Sequence, residues 1–289
     1  MSSYQWFGKK RRSLYLALGL ASINLPVMAN PALTRTSTLN RGESVVAIDI
    51  LDAVKGAVQY IQVSNISDEQ EVEIGKQTNQ QVLQQYRLYD SPQIQQYVSS
   101  LGQELLNSSD SRDIPFTFQV VDSDEVNAFA TPGGFVYVTT GLLRTAENRA
   151  QLASVMAHEI AHINERHGIK GLKQAVAAQG IASTVGVDTN TLAQMAYKLA
   201  ADLPQSRSFE YEADKSGLEI LQQAGYPPQA FANFLAKLEG GEGTPEFIRT
   251  HPTSEHRIEA ISQTETATQV ATSKGQDRAE YQNNVVAYL

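Results

Sequence analysis

The middle of the chain contains the stretch that decides how the rest is interpreted, Ala150-Gln151-Leu152-Ala153-Ser154-Val155-Met156-Ala157-His158-Glu159-Ile160-Ala161-His162-Ile163. It is rich in Ala and lacks Gly and Pro, so it predicts an α-helix, with Thr145 as its N-cap. Residues four apart share one face of a helix, so His158 and His162 can direct two imidazoles at one metal ion. This H-E-x-x-H pattern indicates half of a tetrahedral zinc site, with Glu159 placed to act on water rather than to bind the metal.

Two histidines alone bind zinc weakly, so a third protein ligand is needed. A third histidine in H-E-x-x-H-x-x-G-x-x-H would be one solution, but Glu165 and Gly168 stand at its two diagnostic positions. His167 is one residue off that pattern and on a continuous helix would point away from His158. We therefore expect His167 to be a surface or helix-capping residue.

A carboxylate from a second helix is the other solution. Glu210 and Asp214 are four apart and share a face, whereas Glu212 faces the other way. One of the pair can bind zinc while the other accepts the free N–H of a zinc-bound imidazole. By spacing alone, the same residues are equally well explained as a solvated helix face.

The N-terminus has the features of an export signal. The basic run Lys9–Arg12 precedes the apolar run Ser13–Leu25, and small residues up to Ala29 form a cleavage pattern. The apolar run is short for a spanning helix, so we expect cleavage after Ala29, with an uncleaved anchor as the alternative. We therefore expect a periplasmic or otherwise extracytoplasmic protein, with no integral membrane segment after cleavage.

Composition narrows the function classes further. Cleavage would change the net charge from −8 to −12, which argues against a nucleic-acid partner. The chain has no cysteine, so disulfides and thiolate zinc ligands are excluded and any zinc must be held by His and carboxylate.

Hydrophobic periodicity and turn residues predict an α+β, mostly helical fold with a small β-sheet. Besides the central helix, helices are predicted at 45–63, 67–86, 92–107, 172–183, 191–202 and 207–224. One more helix is predicted to begin at 227–228, and a short helix is predicted to end at 261. Strands are predicted at 116–121 and 135–139. Residues 187–190 read as a loop, and the last 25 or so residues as loosely ordered.

Four motifs occur in a fixed order: Asn127–Gly134 (N-A-F-A-T-P-G-G), His158–His162, Glu210–Asp214 (E-Y-E-A-D) and His251-Pro252. Together they resemble the gluzincin zinc metallopeptidase family that contains HtpX-type heat-shock proteases and CaaX prenyl proteases, and most closely its soluble periplasmic branch. The resemblance implies a zincin-type domain over 66–262 with one Zn²⁺ per chain. A signal peptide (1–29), a leader with an N-terminal helix (30–65) and a C-terminal tail (263–289) would flank it.

The resemblance also implies roles by position. Glu210 would be the third zinc ligand and Asp214 the partner of a ligand histidine. His251 would lie over the zinc, as an oxyanion donor or as a plug that closes the site. The edge that pairs with an extended substrate would be formed by Gly133, Gly134, Phe135 and Val136.

These expectations combine into an endopeptidase of the cell envelope. Glu159 would act as the general base and acid, and the substrates would be unfolded or misfolded polypeptides, with envelope assembly proteins as further partners. Arg207 or Arg257 could contact substrate, and each could equally be a helix-terminus or surface charge. The alternative is a latent enzyme closed by His251 or by the C-terminal tail, or a chaperone-like module whose zinc site is shut.

Overall fold

The computed structural model describes residues 60–180, 186–240, 243–252, 255–264 and 274–289, all within one compact unit, 52–289. The predicted signal peptide and almost all of the predicted leader lie outside these ranges. The helices are α1 (Asp68–Gln85), α2 (Pro92–Asn107), α3 (Thr140–Thr145), α4 (Arg149–Asn164), α5 (His167–Ala178), α6 (Thr189–Tyr197), α7 (Arg207–Gln223), α8 (Gln229–Glu239), α9 (Glu246–Thr250), α10 (Glu255–Thr264) and α11 (Arg278–Asn284). The strands are β1 (Tyr60–Ile61), β2 (Thr117–Val121), β3 (Ala128–Thr131), β4 (Phe135–Thr139) and β5 (Val187–Asp188).

This architecture confirms the predicted fold class, a mostly helical domain with a small sheet. In the described part of the chain, no helix combines the length and the apolarity needed to cross a membrane. Two early helices begin where their caps predict: Ser67 and Gln70 form a capping box at α1, and Ser91 caps α2 ahead of Pro92.

The central helix α4 is buried from Ala150 to Ile163 because it is apolar and small around its whole circumference. Its N-cap is Asn148, whose side chain accepts from the Gln151 amide at 3.0 Å. The prediction of Thr145 as the cap is wrong, since Thr145 ends α3. The main hydrophobic core surrounds α4 and includes side chains of α2, α7, α8 and the sheet.

Helix α7 packs closely along α4, and a glycine permits this approach. A Cβ added at Gly217 would lie 3.0 Å from the Cα of His158. The acidic residues of α7 are thereby brought beside the histidines of α4.

The three-stranded sheet has the order β2–β4–β3, with β2 parallel and β3 antiparallel to β4. Strand β3, which was not predicted, packs on α4. The turn between β3 and β4 requires glycine: Gly133 and Gly134 have φ of +78° and +94°, and a Cβ at Gly134 would lie 1.9 Å from the Pro115 carbonyl oxygen.

Three local predictions are wrong. The end of the predicted helix 45–63 is strand β1 and a 3₁₀ turn at Val63–Asn65, and β1 pairs with β5, where a loop was expected. Helix α5 begins at His167 rather than at residue 172. The chain turns at Arg166, which has a left-handed φ of 56°, so Gly168 and Gly171 lie inside α5 instead of breaking it.

Residues 274–289 are not a loosely ordered tail. The Tyr281 side chain is buried and its hydroxyl donates to the Leu143 carbonyl at 2.8 Å, and the Ala150 amide donates to the Gly275 carbonyl at 2.9 Å. Val285 joins the main core. The predicted boundary at 262–263 falls inside α10 (Glu255–Thr264).

Candidate active site

Helix α4 directs its two histidines at one point, as the spacing predicts. The Nε2 atoms of His158 and His162 are 3.1 Å apart, and both side chains are buried. The whole of α4 from Ala150 to Ile163 is buried, and this face includes both histidines. Two imidazole nitrogens therefore converge inside the protein.

Glu210 completes a donor set. It lies in the first turn of α7, which Ser206 caps, and it is fully buried. Its carboxylate oxygens are 3.6 Å from the His158 Nε2 and 3.4 Å from the His162 Nε2. A tetrahedral metal with bonds of about 2.0–2.1 Å separates neighbouring donors by about 3.3 Å. The spacing and chemistry of these three donors fit such an ion, while their roles as ligands stay predictions.

Glu159 lies beside this donor set, and neither of its buried carboxylate oxygens has a hydrogen-bonded side-chain partner among the described residues. The Ala130 backbone amide is near enough to act against a higher pKa, and the nearer oxygen is 3.5 Å from the His251 Nε2. Burial raises the pKa of Glu159. A buried carboxylate without partners is costly to fold and is typical of a functional group.

His251 lies among the same donors. It caps the C-terminus of α9, its ring stacks on Phe247, and its Nδ1 is 3.2 Å from a Glu210 oxygen. The donor atoms of His158, His162, Glu210 and His251 all lie within 4.8 Å of one another. This geometry agrees with the expectation that His251 lies over the metal position. It is compatible with both expected roles of His251, an oxyanion donor and a plug that closes the site.

Asp214 and Arg257 support the donor set from behind. An Asp214 oxygen is 3.1 Å from the His158 Nδ1, which suits the predicted pairing with a ligand imidazole. Arg257 donates two hydrogen bonds of 2.7 Å to Asp214, and its Nη1 is 2.8 Å from Glu210. Arg257 is 2 % exposed, so the alternative that it is a surface charge is wrong; it lies in the first turn of α10.

Even without a metal ion, the side chains around the Nε2 atoms of His158 and His162 favour a positive charge between them. Burial would lower the pKa of His158, but hydrogen bonds to Asp214 and Glu210 outweigh burial and raise it to about 9. Burial likewise works against the ionised form of Glu210, yet the neighbouring histidines hold its pKa well below the usual range. Burial lowers the pKa of His162 to about 3, so this imidazole is neutral and free to bind a metal.

His167 is neither exposed nor a cap. It is 2 % exposed, its Nδ1 is 2.9 Å from the His162 Nδ1, and its Nε2 is 3.2 Å from a Glu212 oxygen. The prediction is wrong because it assumed one continuous helix, whereas the turn at Arg166 reverses the direction of the side chain. Glu212 faces away from the buried Glu210 and Asp214, as predicted: its side chain is 47 % exposed and also contacts Lys170.

The predicted substrate edge is also wrong. Strand β4, which contains Phe135 and Val136, is paired on both sides, by β2 and by β3. Gly133 and Gly134 form its tight turn against the backbone of α1 and Pro115. The strand beside α4 with one side unpaired in the sheet is β3.

The register identifies which groups of β3 face outward. The Thr139 amide donates to the Asn127 carbonyl, so alternate residues from Asn127 onward face β4. The backbone N–H and C=O groups of Ala128 and Ala130 therefore point to the unpaired side.

A cleft runs from the donor set past the end of β3. It has a volume of about 370 Å³, begins at Glu159, His162 and His251, and continues between α5 and α6. Its inner wall consists of small and apolar residues, which are Gly168, Gly171, Ala175, Ala196, Leu199 and Ala200.

Comparison with known proteins gives consistent matches. The model of peptidase family M48 matches residues 92–265. The beta-barrel assembly-enhancing protease of Escherichia coli (strain K12) is 35% identical over 212 residues, which are 68% of this chain and 44% of that protein. Its namesake in Yersinia pestis is 32% identical over 213 residues, with the same coverage. Mitochondrial metalloendopeptidase OMA1 of Schizosaccharomyces pombe is 31% identical over 174 residues, 58% of this chain and 52% of that protein. The chain thus spans about half the length of these relatives.

Proposed function

This chain belongs to peptidase family M48, and from that premise we propose that it is a zinc-dependent endopeptidase that cleaves extended or misfolded proteins of the cell envelope. Membership of the family confirms the resemblance drawn from the four motifs. The observation that carries the proposal is the buried convergence of His158, His162 and Glu210 beside the unpaired carboxylate of Glu159.

His158, His162 and Glu210 would hold one zinc ion, because two imidazoles and one carboxylate are the donor set of many hydrolytic zinc sites. When bound, zinc polarises the scissile carbonyl and makes a water nucleophilic at neutral pH. Asp214 fixes the orientation of His158, and Arg257 holds Asp214 in place.

Glu159 supplies the proton transfers. Its carboxylate takes a proton from the attacking water and returns it to the leaving amine. No side chain makes a hydrogen bond to its oxygens in the described part of the chain, which leaves them available for both contacts. His251 can donate to the oxyanion that develops at the carbonyl, a contact worth about 3 kcal/mol in other acyl-transfer enzymes.

The edge of β3 suits an extended substrate. Ala128 is fully buried, so the outward-facing backbone groups of the half-buried Ala130 are the ones that can pair with a peptide backbone. Such pairing recognises the main chain rather than side chains and requires a locally unfolded segment. The adjoining cleft of about 370 Å³ has room for one apolar side chain next to the scissile bond. We therefore propose broad specificity with a preference for an apolar residue at one subsite.

The envelope is the proposed location. The basic and apolar runs before Ala29 support export to the periplasm, with cleavage at that position. The name of the Escherichia coli relative states that it enhances β-barrel assembly, and we propose that proteins of β-barrel assembly are substrates or partners of the present chain as well.

A latent or chaperone-like module is the second candidate, and the position of His251 favours it. Its imidazole contacts both Glu210 and the catalytic candidate Glu159, as a plug would. Closure by the C-terminal segment finds less support, because the contacts of residues 274–289 include Leu143 and Arg144 of α3 and Ala150 at the N-terminal end of α4, away from the histidines.

Glu159→Gln tests the proposal. The variant should lose at least about 1,000-fold activity on casein, because the amide cannot take a proton, while its zinc content stays near one per chain. Glu219→Gln, an exposed Glu→Gln change on α7, is the matched control and should retain activity. Unchanged cleavage by Glu159→Gln would contradict the mechanism, and mass spectrometry of the casein fragments gives the subsite preference.

His251→Ala separates the two candidates. An oxyanion donor predicts a loss of about 100-fold in kcat, whereas a plug predicts a gain in activity. Binding of casein without cleavage by the wild type and by His251→Ala would favour the chaperone-like module.

A further inference from the structure

The two histidines of α4 are supported in different ways. His158 meets a carboxylate directly, since its Nδ1 is 3.1 Å from Asp214. The Nδ1 of His162 instead faces a third imidazole, at 2.9 Å from the Nδ1 of His167. We propose that His167, oriented by Glu212, is the positioning residue that fixes the tautomer and the ring orientation of His162. This inference rests on the proposed zinc site.

The hydrogen-bond directions follow from geometry. His162 turns its Nε2 toward His158 and Glu210, so this nitrogen must present its lone pair to a metal. A neutral imidazole that binds through Nε2 carries its hydrogen on Nδ1. The His162 Nδ1–H therefore donates to His167, whose Nδ1 must accept.

The same reasoning assigns the ring hydrogen of His167. Since its Nδ1 accepts, its hydrogen is on Nε2, which is 3.2 Å from a Glu212 carboxylate oxygen. Glu212 therefore accepts from His167, and the chain of donors runs from His162 through His167 to Glu212. Lys170 holds the same Glu212 oxygen at 3.0 Å and keeps the carboxylate in place.

Packing makes this arrangement rigid. His167 is 2 % exposed and stacks on Phe209, with ring centroids 4.4 Å apart and an angle of 12° between the planes. Without an acceptor at His167, the buried Nδ1–H of His162 would have no protein partner among the described residues, and the ring would be free to turn. Loss of such an outer hydrogen bond costs about 10- to 100-fold in metal affinity.

The test measures zinc affinity of the full chain by chelator competition. His167→Leu keeps apolar volume against Phe209 but removes the acceptor, and should weaken zinc binding by about 10- to 100-fold. His167→Asn places an oxygen near the lost Nδ1 and should recover most of that affinity. Glu212→Ala should weaken binding less than His167→Leu, because water can replace an exposed carboxylate.

His256→Leu is the matched control, because His256 is an exposed histidine outside the donor group, and it should bind zinc like the wild type. If His167→Leu also binds like the wild type, or if His167→Asn is as weak as His167→Leu with equal thermal stability, the inference is wrong. An unchanged zinc affinity of Glu212→Ala would show that Glu212 does not orient His167.

Nitrogen-15 NMR of the zinc-loaded wild type provides a second readout that does not depend on a folded variant. His162 should carry its hydrogen on Nδ1 and His167 on Nε2, and a His167 protonated on Nδ1 would overturn the inference. A wild type that binds no zinc would instead overturn the proposed function. Zinc binding and casein cleavage by the wild type, with no effect of His167→Leu on affinity, would overturn this inference alone.

Discussion

At the residue scale, the site depends on charges that are buried together. Arg257 is held by Asp214 through two hydrogen bonds of 2.7 Å and donates at 2.8 Å to the Pro252 carbonyl. It thereby connects α7 to the segment that carries His251. A buried ion pair is tolerated only when both partners are present, because a single buried charge is strongly unfavourable.

We predict that Arg257→Met destabilises the metal-free protein by about 3 kcal/mol, since it leaves the Asp214 carboxylate buried without its main partner. Urea denaturation at pH 7 measures the change. Arg207→Met is the control. Arg207 is an exposed arginine at the start of α7, the helix that carries Asp214, and its substitution should change stability by less than about 0.5 kcal/mol. Equal effects of the two substitutions would show that the buried pairing contributes nothing.

The sequence predicts residues of the site where the signal is local. His158, Glu159 and His162 share one helical turn, so their convergence follows from helix geometry alone. Arg257 and His167 were misjudged because their partners lie on other elements. The position of His167 depends on the backbone turn at Arg166, which no periodicity reports.

At the element scale, glycines set how closely α1 approaches the sheet. A Cβ added at Gly75 of α1 would lie 2.2 Å from the Pro132 carbonyl oxygen and 2.9 Å from the Cα of Gly133. Both contacts are with backbone, which cannot rotate away. A Cβ at Gly171 of α5 would instead meet only Leu199, at an ordinary distance of 3.6 Å.

These two helical glycines therefore predict opposite outcomes. Gly75→Ala should destabilise the protein by about 2 kcal/mol or more, because α1 must move off the β3–β4 turn. Gly171→Ala should stabilise it by about 0.5–1 kcal/mol through helix propensity. Thermal denaturation of both variants measures the difference, and stabilisation by Gly75→Ala would contradict the close packing of α1.

Elements with capping signals were predicted well, as α1 and α2 show. The sheet was not, because strand order is a long-range property. Strand β3 is only four residues long and precedes a turn, so its alternation is too short to recognise. The resemblance implies that Gly133, Gly134 and the strand after them form an edge, but β3 pairs with that strand and makes it the central strand of the sheet.

At the scale of the whole molecule, Glu104 joins distant parts of the chain. On α2, it accepts from Arg149 at the start of α4 at 2.6 Å, from the Tyr226 hydroxyl at 3.2 Å, and contacts Lys274 at 2.6 Å. Burial would raise the pKa of Glu104, but the hydrogen bonds from Lys274 and Arg149 outweigh burial and lower it. The C-terminal segment is thus fastened to the core.

This lowered pKa predicts a pH-dependent contribution to stability. A carboxylate whose folded pKa lies below its unfolded value, about 4.3, stabilises the fold above that pH and loses the effect as pH falls through the folded pKa. Glu104→Gln should therefore cost about 1 kcal/mol at pH 7, and the difference from wild type should vanish toward pH 3. Urea denaturation between pH 3 and 8 measures it, and a difference that grows on acidification would contradict the assignment.

The most direct test of the central claim is a crystal structure of the zinc-loaded protein with anomalous scattering measured at the zinc edge. We predict one strong peak per chain, about 2.0–2.1 Å from the Nε2 atoms of His158 and His162 and from a Glu210 oxygen. A protein saturated with zinc that shows no peak at these three side chains would contradict the proposed active site.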